Sequence, residues 1–324
     1  MAALQTDELT KRFGDVTAVE GLDLTVRDGE VFGFLGPNGA GKSTTINTLL
    51  GFLAPSDGSA TVLGHDVETE SLAVRERVGV LPEGFTVYDR LTGREHVAYA
   101  ADLKGVDADP DRLLDRVGLE TEARTRAAGG YSTGMCQRLA LACALVGDPD
   151  LLILDEPSSG LDPTGMGEMR DLIRAEVASG TTVFFSSHIL SEVEAVCDRV
   201  GILVDGQLAA TGSLAALRDE VAGGAPVSLA VDAVPDSLDL ASIDGVQSVE
   251  LGPEEITCEV TRSGAKIEVI RRVDAVAEVR DVVSEATSLE SLFETYTDGE
   301  RVESQASESG APLEPRAAAT EDGR

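Results

Sequence analysis

Lysine is scarce in this 324-residue chain: Lys11, Lys42, Lys104 and Lys266 are the full set, and arginine supplies the remaining positive charge. Tryptophan is missing, and aromatic residues make up only 4%. Cys136, Cys143, Cys197 and Cys258 show no CxxC or Cys/His ligand spacing. That argues against a zinc or dithiol site and for core thiols in a reducing compartment. The longest apolar stretch, Leu139 to Gly147, is far shorter than the ~20 residues that cross a bilayer. Any membrane role is therefore expected to run through a partner. The opening Met1-Ala2-Ala3-Leu4 lacks a basic segment leading into an apolar run, so no signal peptide is expected. No internal repeat stands out.

What the chain holds in abundance is acid. Asp and Glu number 58 against 26 Lys and Arg, a formal net charge of −32. A field of that sign repels phosphate backbones and argues against a nucleic-acid partner. Dense carboxylates hold water and are screened by concentrated salt, whereas in dilute buffer they repel one another. With so little lysine, the composition suits a salt-adapted cytoplasm; an ordinary acidic protein with an acidic tail is the alternative. At 42% hydrophobic residues the chain has ample material for a core.

Short apolar runs at Leu22 to Val26 and Val31 to Leu35 flank Arg27-Asp28-Gly29-Glu30, a turn pattern, and predict a β-hairpin. The second run leads through a glycine-rich loop into a predicted helix over Ser43–Leu50. Residues 88–147 are largely helical in pattern. Leu151 to Leu154, Thr181 to Phe185 and Val200 to Val204 read as strands, the first two buried on both faces. Gly165–Ala178 and Ser191–Cys197 between them have helical spacing, and the alternation argues an α/β fold with a parallel sheet. The pattern breaks near 221–226. Beyond it, Val227–Val231, Val246–Leu251, Ile256–Val260 and Val279–Val283 predict strands, with helices over Lys266–Val273 and Leu289–Tyr296. That order approximates β-α-β-β-α-β plus a final helix. The expected division is residues 1–220, a small α+β unit at 225–297, and a disordered acidic tail at 298–324.

Gly36-Pro37-Asn38-Gly39-Ala40-Gly41-Lys42-Ser43 fits GxxxxGK[ST], between a strand and a helix. Glycines let backbone N–H groups converge on phosphates, the helix N-terminus adds positive potential, and Lys42 brings a cation toward the β/γ oxygens. Ser43 is placed to ligate Mg²⁺. Leu151-Leu152-Ile153-Leu154-Asp155-Glu156 is an apolar strand ending in two carboxylates, at the ligand edge of an α/β sheet. Asp155 suits the Mg²⁺ shell, and Glu156 can polarise a water for in-line attack. Together the two motifs predict a nucleotide site.

With these residues the sequence resembles the ABC ATPase family over residues 4 to about 217. Tyr131-Ser132-Thr133-Gly134-Met135 looks like a Tyr-Ser-x-Gly-Met form of the family signature, and Ser159-Gly160-Leu161-Asp162 resembles the D-loop. Ser186-Ser187-His188 resembles the switch histidine, and Phe13 falls where an aromatic stacks on adenine. Glu83 occupies the Q-loop position, where glutamine is usual. The resemblance implies a P-loop NTPase core with an N-terminal antiparallel β subdomain and a helical signature subdomain. It implies ATP and Mg²⁺, with the phosphate loop through Thr44, Phe13, Glu83, Ser132, Gly134, Met135 and Asp162 on the nucleotide. Glu156 and His188 would be catalytic, and Ser43, Asp155 and Glu83 would serve the metal. It further implies two composite sites in an ATP-bridged homodimer and a separate transmembrane permease seated near the helical segment after Glu83. The chain would then be cytoplasmic and peripheral on the inner face of the membrane. Taken alone, Ser132-Thr133-Gly134 is a helix N-cap, Phe13 a core aromatic, His188 a structural histidine and Glu83 a solvated carboxylate. The signature variant and C-terminal extension look like drug, natural-product or sodium exporters. Tyr88 through Glu95 also resembles ATPases of copper-site maturation in nitrous-oxide reductase. A soluble, non-transport ABC ATPase is the alternative.

Overall fold

A computed structural model describes residues 2–221, 226–235, 238–261 and 263–284. β1 (Ala2–Phe13) and β2 (Val16–Leu22) are antiparallel across a turn at Gly14, and β3 (Thr25–Arg27) returns to β1 with Val26 opposite Leu4. The chain then leaves this sheet. β4 (Val31–Leu35) is buried at every residue and pairs in parallel with strands far along the sequence. The expected hairpin of Leu22–Val26 with Val31–Leu35 is therefore not formed. Arg27 to Glu30 does turn, with Gly29 at φ 73°, but the turn carries the chain from one sheet to another. The patterns explain the split: β3 alternates exposed and buried, as a one-faced strand does, whereas β4 is apolar throughout and needs cover on both faces. Glu30 secures the crossing, accepting from the Arg27 N–H at 2.8 Å and pairing with Arg199 at 3.0 Å.

α1 (Lys42–Leu49) follows β4, after which β5 (Asp57–Val62) and β6 (His65–Asp66) complete the antiparallel sheet in the order β2-β1-β5-β6. α2 (Ser71–Arg77) leads into β7 (Val78–Leu81). A helical region follows: α3 (Gly93–Lys104), α4 (Pro110–Arg116), α5 (Thr121–Arg124), a 3-10 turn at Ala128–Gly130 and α6 (Thr133–Ala144). Three of its helices, α3, α4 and α6, start at side-chain caps. Thr92 and Glu95 form a reciprocal capping box on α3, Asp109 precedes Pro110 at α4, and Ser132 caps α6.

The α/β portion continues through β8 (Leu151–Asp155), α7 (Pro163–Ala178), β9 (Thr182–Ser187), α8 (Leu190–Val196), β10 (Arg199–Val204), β11 (Gln207–Ser213) and α9 (Leu214–Val221). Its sheet runs β11-β10-β4-β9-β8-β7, parallel except for β11. The strand period of two divides β8 between two cores. Leu152 and Leu154 join the core with the helical region, while Leu151 and Ile153 join the one beneath the antiparallel sheet. Gly79 in β7 lets α6 come close: a Cβ there would lie 2.1 Å from the Ala144 carbonyl oxygen.

β12 (Pro226–Val231), β13 (Val246–Leu251), β14 (Glu255–Val260), α10 (Ser263–Asp274) and β15 (Val279–Ser284) form a separate antiparallel sheet, ordered β13-β14-β12-β15, with its own apolar core. The approximate β-α-β-β-α-β order needs correction. Among the described residues no helix separates β12 from β13: 232–235 and 238–245 run through bends, turns and irregular chain, and Asp239 accepts from the Ser242 N–H at its carboxylate. The predicted helix Leu289–Tyr296 and the tail 298–324 lie outside the described residues.

Candidate functional site

Parallel register delivers the C-terminal ends of β4, β7, β8 and β9 to one edge of the sheet. Leu35 lies opposite Ser187, Leu81 opposite Leu154, and Asp155 opposite Ser186. The chain beyond these ends carries Gly36, Glu83, Glu156 and His188, so residues spread over more than 150 positions meet at the usual ligand edge of an α/β sheet.

The loop after β4 depends on its glycines. Gly39 and Gly41 hold φ values of 88° and 106°, and a Cβ on Gly41 would fall 2.4 Å from the Ala18 carbonyl oxygen. The Gly206 N–H donates to the Ala40 carbonyl at 3.0 Å, tying the loop to the β10–β11 turn. Lys42, buried at the start of α1, donates from Nζ to the carbonyls of Gly36 (2.7 Å) and Pro37 (3.3 Å), and stands 3.5 Å from Glu156 Oε1. A cavity of about 370 Å³ opens here, with Asn38, Ser43, Thr44, Glu83 and Asp155 in its wall.

Asp155 and Glu156 are both buried, and their surroundings separate them. Burial raises the Asp155 pKa, a hydrogen bond from Ser186 opposes the rise, the charge of Glu156 adds to it, and Ser43 opposes it. Glu156 has a left-handed backbone, φ 50°, uncommon for a residue with a side chain. Its N–H donates to Ser186 Oγ at 3.1 Å and to the Ser186 carbonyl at 3.2 Å, which fixes that turn. The carboxylate thus sits between two basic groups, Lys42 on Oε1 and His188 Nδ1 at 2.8 Å on Oε2. Ser186 is a residue the motif reading missed, although two serines closing an otherwise apolar strand are a signal.

The remaining predicted residues lie elsewhere. Ser132, Gly134, Met135 and Asp162 line a second cavity of about 540 Å³, which shares no lining residue with the first. Ser132 caps α6, accepting from the Met135 N–H at 3.3 Å, and Asp162 caps α7, accepting from the Gly165 N–H at 2.7 Å. Phe13 is exposed at the end of β1 with Lys11 Nζ 5.1 Å from its ring centre, and it does not line the phosphate cavity.

The ABC transporter family model matches residues 19–159. An uncharacterized ABC transporter ATP-binding protein of Nostoc sp. is 46% identical over 214 residues, which is 64% of this chain and 62% of that protein. The daunorubicin/doxorubicin resistance ATP-binding protein DrrA of Streptomyces peucetius is 41% identical over 224 residues, 68% of each. The chain belongs to the ABC transporter family, as an ATP-binding protein. A solved ATP binding subunit of an ABC transporter matches this ABC protein with a TM-score of 0.61 at 30% identity, over 68% of this chain and 93% of that one. The P-loop core, antiparallel β subdomain and helical region are those of an ABC ATPase cassette.

Proposed function

We propose that this ABC protein binds and hydrolyses MgATP and drives a separate transmembrane permease. The observation that carries the reading is the buried Glu156 carboxylate, held between Lys42 and His188 at the mouth of a glycine loop. Gly36, Asn38, Gly39, Ala40, Gly41 and Thr44 supply backbone and side-chain donors to the phosphates. Lys42 exchanges its carbonyl partners for β/γ oxygens. The residues fit Mg²⁺: the Ser43 hydroxyl and Asp155 carboxyl are hard oxygen donors lining one cavity, with Glu83 in the same wall. Bound Mg²⁺ supplies charge neutralisation at the phosphate oxygens. Glu156 takes the proton of the attacking water, and His188 orients that carboxylate. Phe13, free at the end of β1, offers its ring to adenine.

Ser132, Gly134, Met135 and Asp162 serve the nucleotide of a second copy in this reading, since they line a different cavity from Lys42. No helix among the described residues is long and apolar enough to cross a membrane, which agrees with a permease partner at the inner membrane face. Residues 1–220 form the ATPase unit, 225–297 an accessory unit and 298–324 a tail, and the acid excess is a salt adaptation. Similarity to DrrA supports drug or natural-product export. The stretch behind the copper-site resemblance has structural work of its own, in the Thr92–Glu95 capping box and the stacking of Tyr88 on His96 at 5.8 Å. Phosphate release from ATP by the full chain tests the reading. It should require Mg²⁺ and disappear in Lys42→Ala together with nucleotide affinity measured by calorimetry; unchanged affinity in that variant rejects the phosphate-loop assignment.

A further inference from the structure

Glu192 is an anomaly on α8. It is 4% exposed in the first turn, four residues past His188. Its Oε2 accepts from the Ser187 hydroxyl at 3.1 Å, while Oε1 is buried with no hydrogen-bond partner. The neighbouring groups give the carboxyl a place in the site. Ser187 precedes His188, and its carbonyl accepts from the Gly36 N–H at 3.4 Å, at the start of the phosphate loop. Ser158, also buried, lies two residues past Glu156, with its hydroxyl near enough to the same carboxyl to lower its pKa.

We propose that Glu192 is a positioning residue: its buried carboxyl spans the Ser187 and Ser158 hydroxyls and locks the loop bearing His188 to the turn leaving Glu156. This rests on the ATPase reading above but assigns a role to a residue outside it. A carboxylate with one oxygen sealed from water and unpartnered is a costly arrangement, whereas a neutral carboxyl carries a hydrogen that can go to Ser158 Oγ. The surroundings push the pKa of this carboxyl up. Burial raises the pKa most, the Ser187 and Ser158 hydroxyls oppose it, and the nearby Glu156 charge raises it again while His188 lowers it. A protonated Glu192 adds no charge beside Glu156, Lys42 and His188. The carboxyl then works as a two-ended hydrogen-bonding strut between two strand exits.

The test compares Glu192→Ala with Glu192→Gln in the full chain. The amide keeps one acceptor for Ser187 and one donor for Ser158, so it should rescue what alanine loses. In Glu192→Ala, kcat for ATP should fall about tenfold or more with KM within about threefold, the pattern of lost transition-state positioning. In Glu192→Gln it should stay within about threefold of the parent. The imidazole NMR signals of His188, one of only three histidines, should shift in the alanine variant and hold in the glutamine variant. Parental kcat and His188 signals in Glu192→Ala, or a glutamine variant as impaired as alanine, overturn the proposal. Should Glu192→Ala fail to fold, the Ser158→Ala/Ser187→Ala double variant replaces it with the same expectations. A parent chain that hydrolyses no ATP rejects the ATPase reading, while the His188 signals still decide the strut.

Discussion

His188 Nδ1 and Glu156 Oε2 stand 2.8 Å apart, although the two residues leave different strands and are separated by 32 positions in sequence. The β8–β9 pairing makes the meeting possible, since Asp155 opposite Ser186 sets Glu156 and His188 at neighbouring strand exits. The contact reaches only one carboxylate oxygen. Lys42 faces the other, so a change at Glu156 is felt by both basic groups.

Glu156→Gln should keep ATP affinity and lose turnover by about 100-fold or more, the range of a missing general base. The carboxamide preserves shape and a contact for His188 but cannot take up a proton. ATP should then hold the variant as a dimer in size-exclusion chromatography. Hydrolysis near the parental rate would place the base elsewhere.

Arg116 reaches from α4 to Glu176 near the end of α7, with Nε 2.8 Å from Oε1 and Nη2 2.6 Å from Oε2. Glu176 is buried, so Arg116→Ala strands its charge and should cost about 3–5 kcal/mol in denaturant unfolding. Arg116→Ala combined with Glu176→Leu should recover most of that loss. If the double variant is no more stable than the single, the unpaired carboxylate is not the cause.

With the net charge at −32, unfolding midpoints should climb steeply between dilute buffer and molar KCl as carboxylate repulsion is screened. Calorimetric scans across that range check it, and a flat or falling midpoint contradicts salt adaptation.

Ser132→Arg chains mixed with Lys42→Ala chains should regain hydrolysis that neither shows alone. The mixed dimer pairs the intact signature of one chain with the intact loop of the other. Lys42→Ala mixed with Glu156→Gln should gain nothing, because both lesions lie on the loop side. If neither mixture gains although heterodimers form, doping the parent with Ser132→Arg decides. A square-law decline in activity marks coupled sites, and a linear one marks a site confined to one chain.

The chemistry was legible in the sequence to the extent that it depends on contiguous motifs. The glycine loop and the Asp155-Glu156 strand end both occupy the sheet edge their patterns imply, and β8, β9 and β10 lie within two residues of the predicted runs. Partner choice was not legible. The unbroken apolar run of Val31–Leu35 calls for cover on both faces but does not name β9 and β10 as its neighbours, and a four-residue turn serves a hairpin and a change of sheet equally well. Ser186 and Glu192 were hidden differently. Ser186 acts on Glu156, thirty residues away, and one buried glutamate cannot be singled out by composition among 58 acidic residues.

The loop at residues 36–41 is held in shape by the protein's own backbone: Ala18 roofs Gly41, the Leu203 carbonyl crowds Gly36, and the Gly206 N–H pins Ala40. A mobile loop would lose backbone entropy of about 1–2 kcal/mol per residue on closing around phosphate, and this one has lost it during folding. Nucleotide capture should accordingly be governed by encounter rather than by loop rearrangement, with a single-phase association whose rate stays proportional to ATP concentration up to the limit of mixing. The slow steps of the cycle then fall to larger movements, the meeting and parting of two chains.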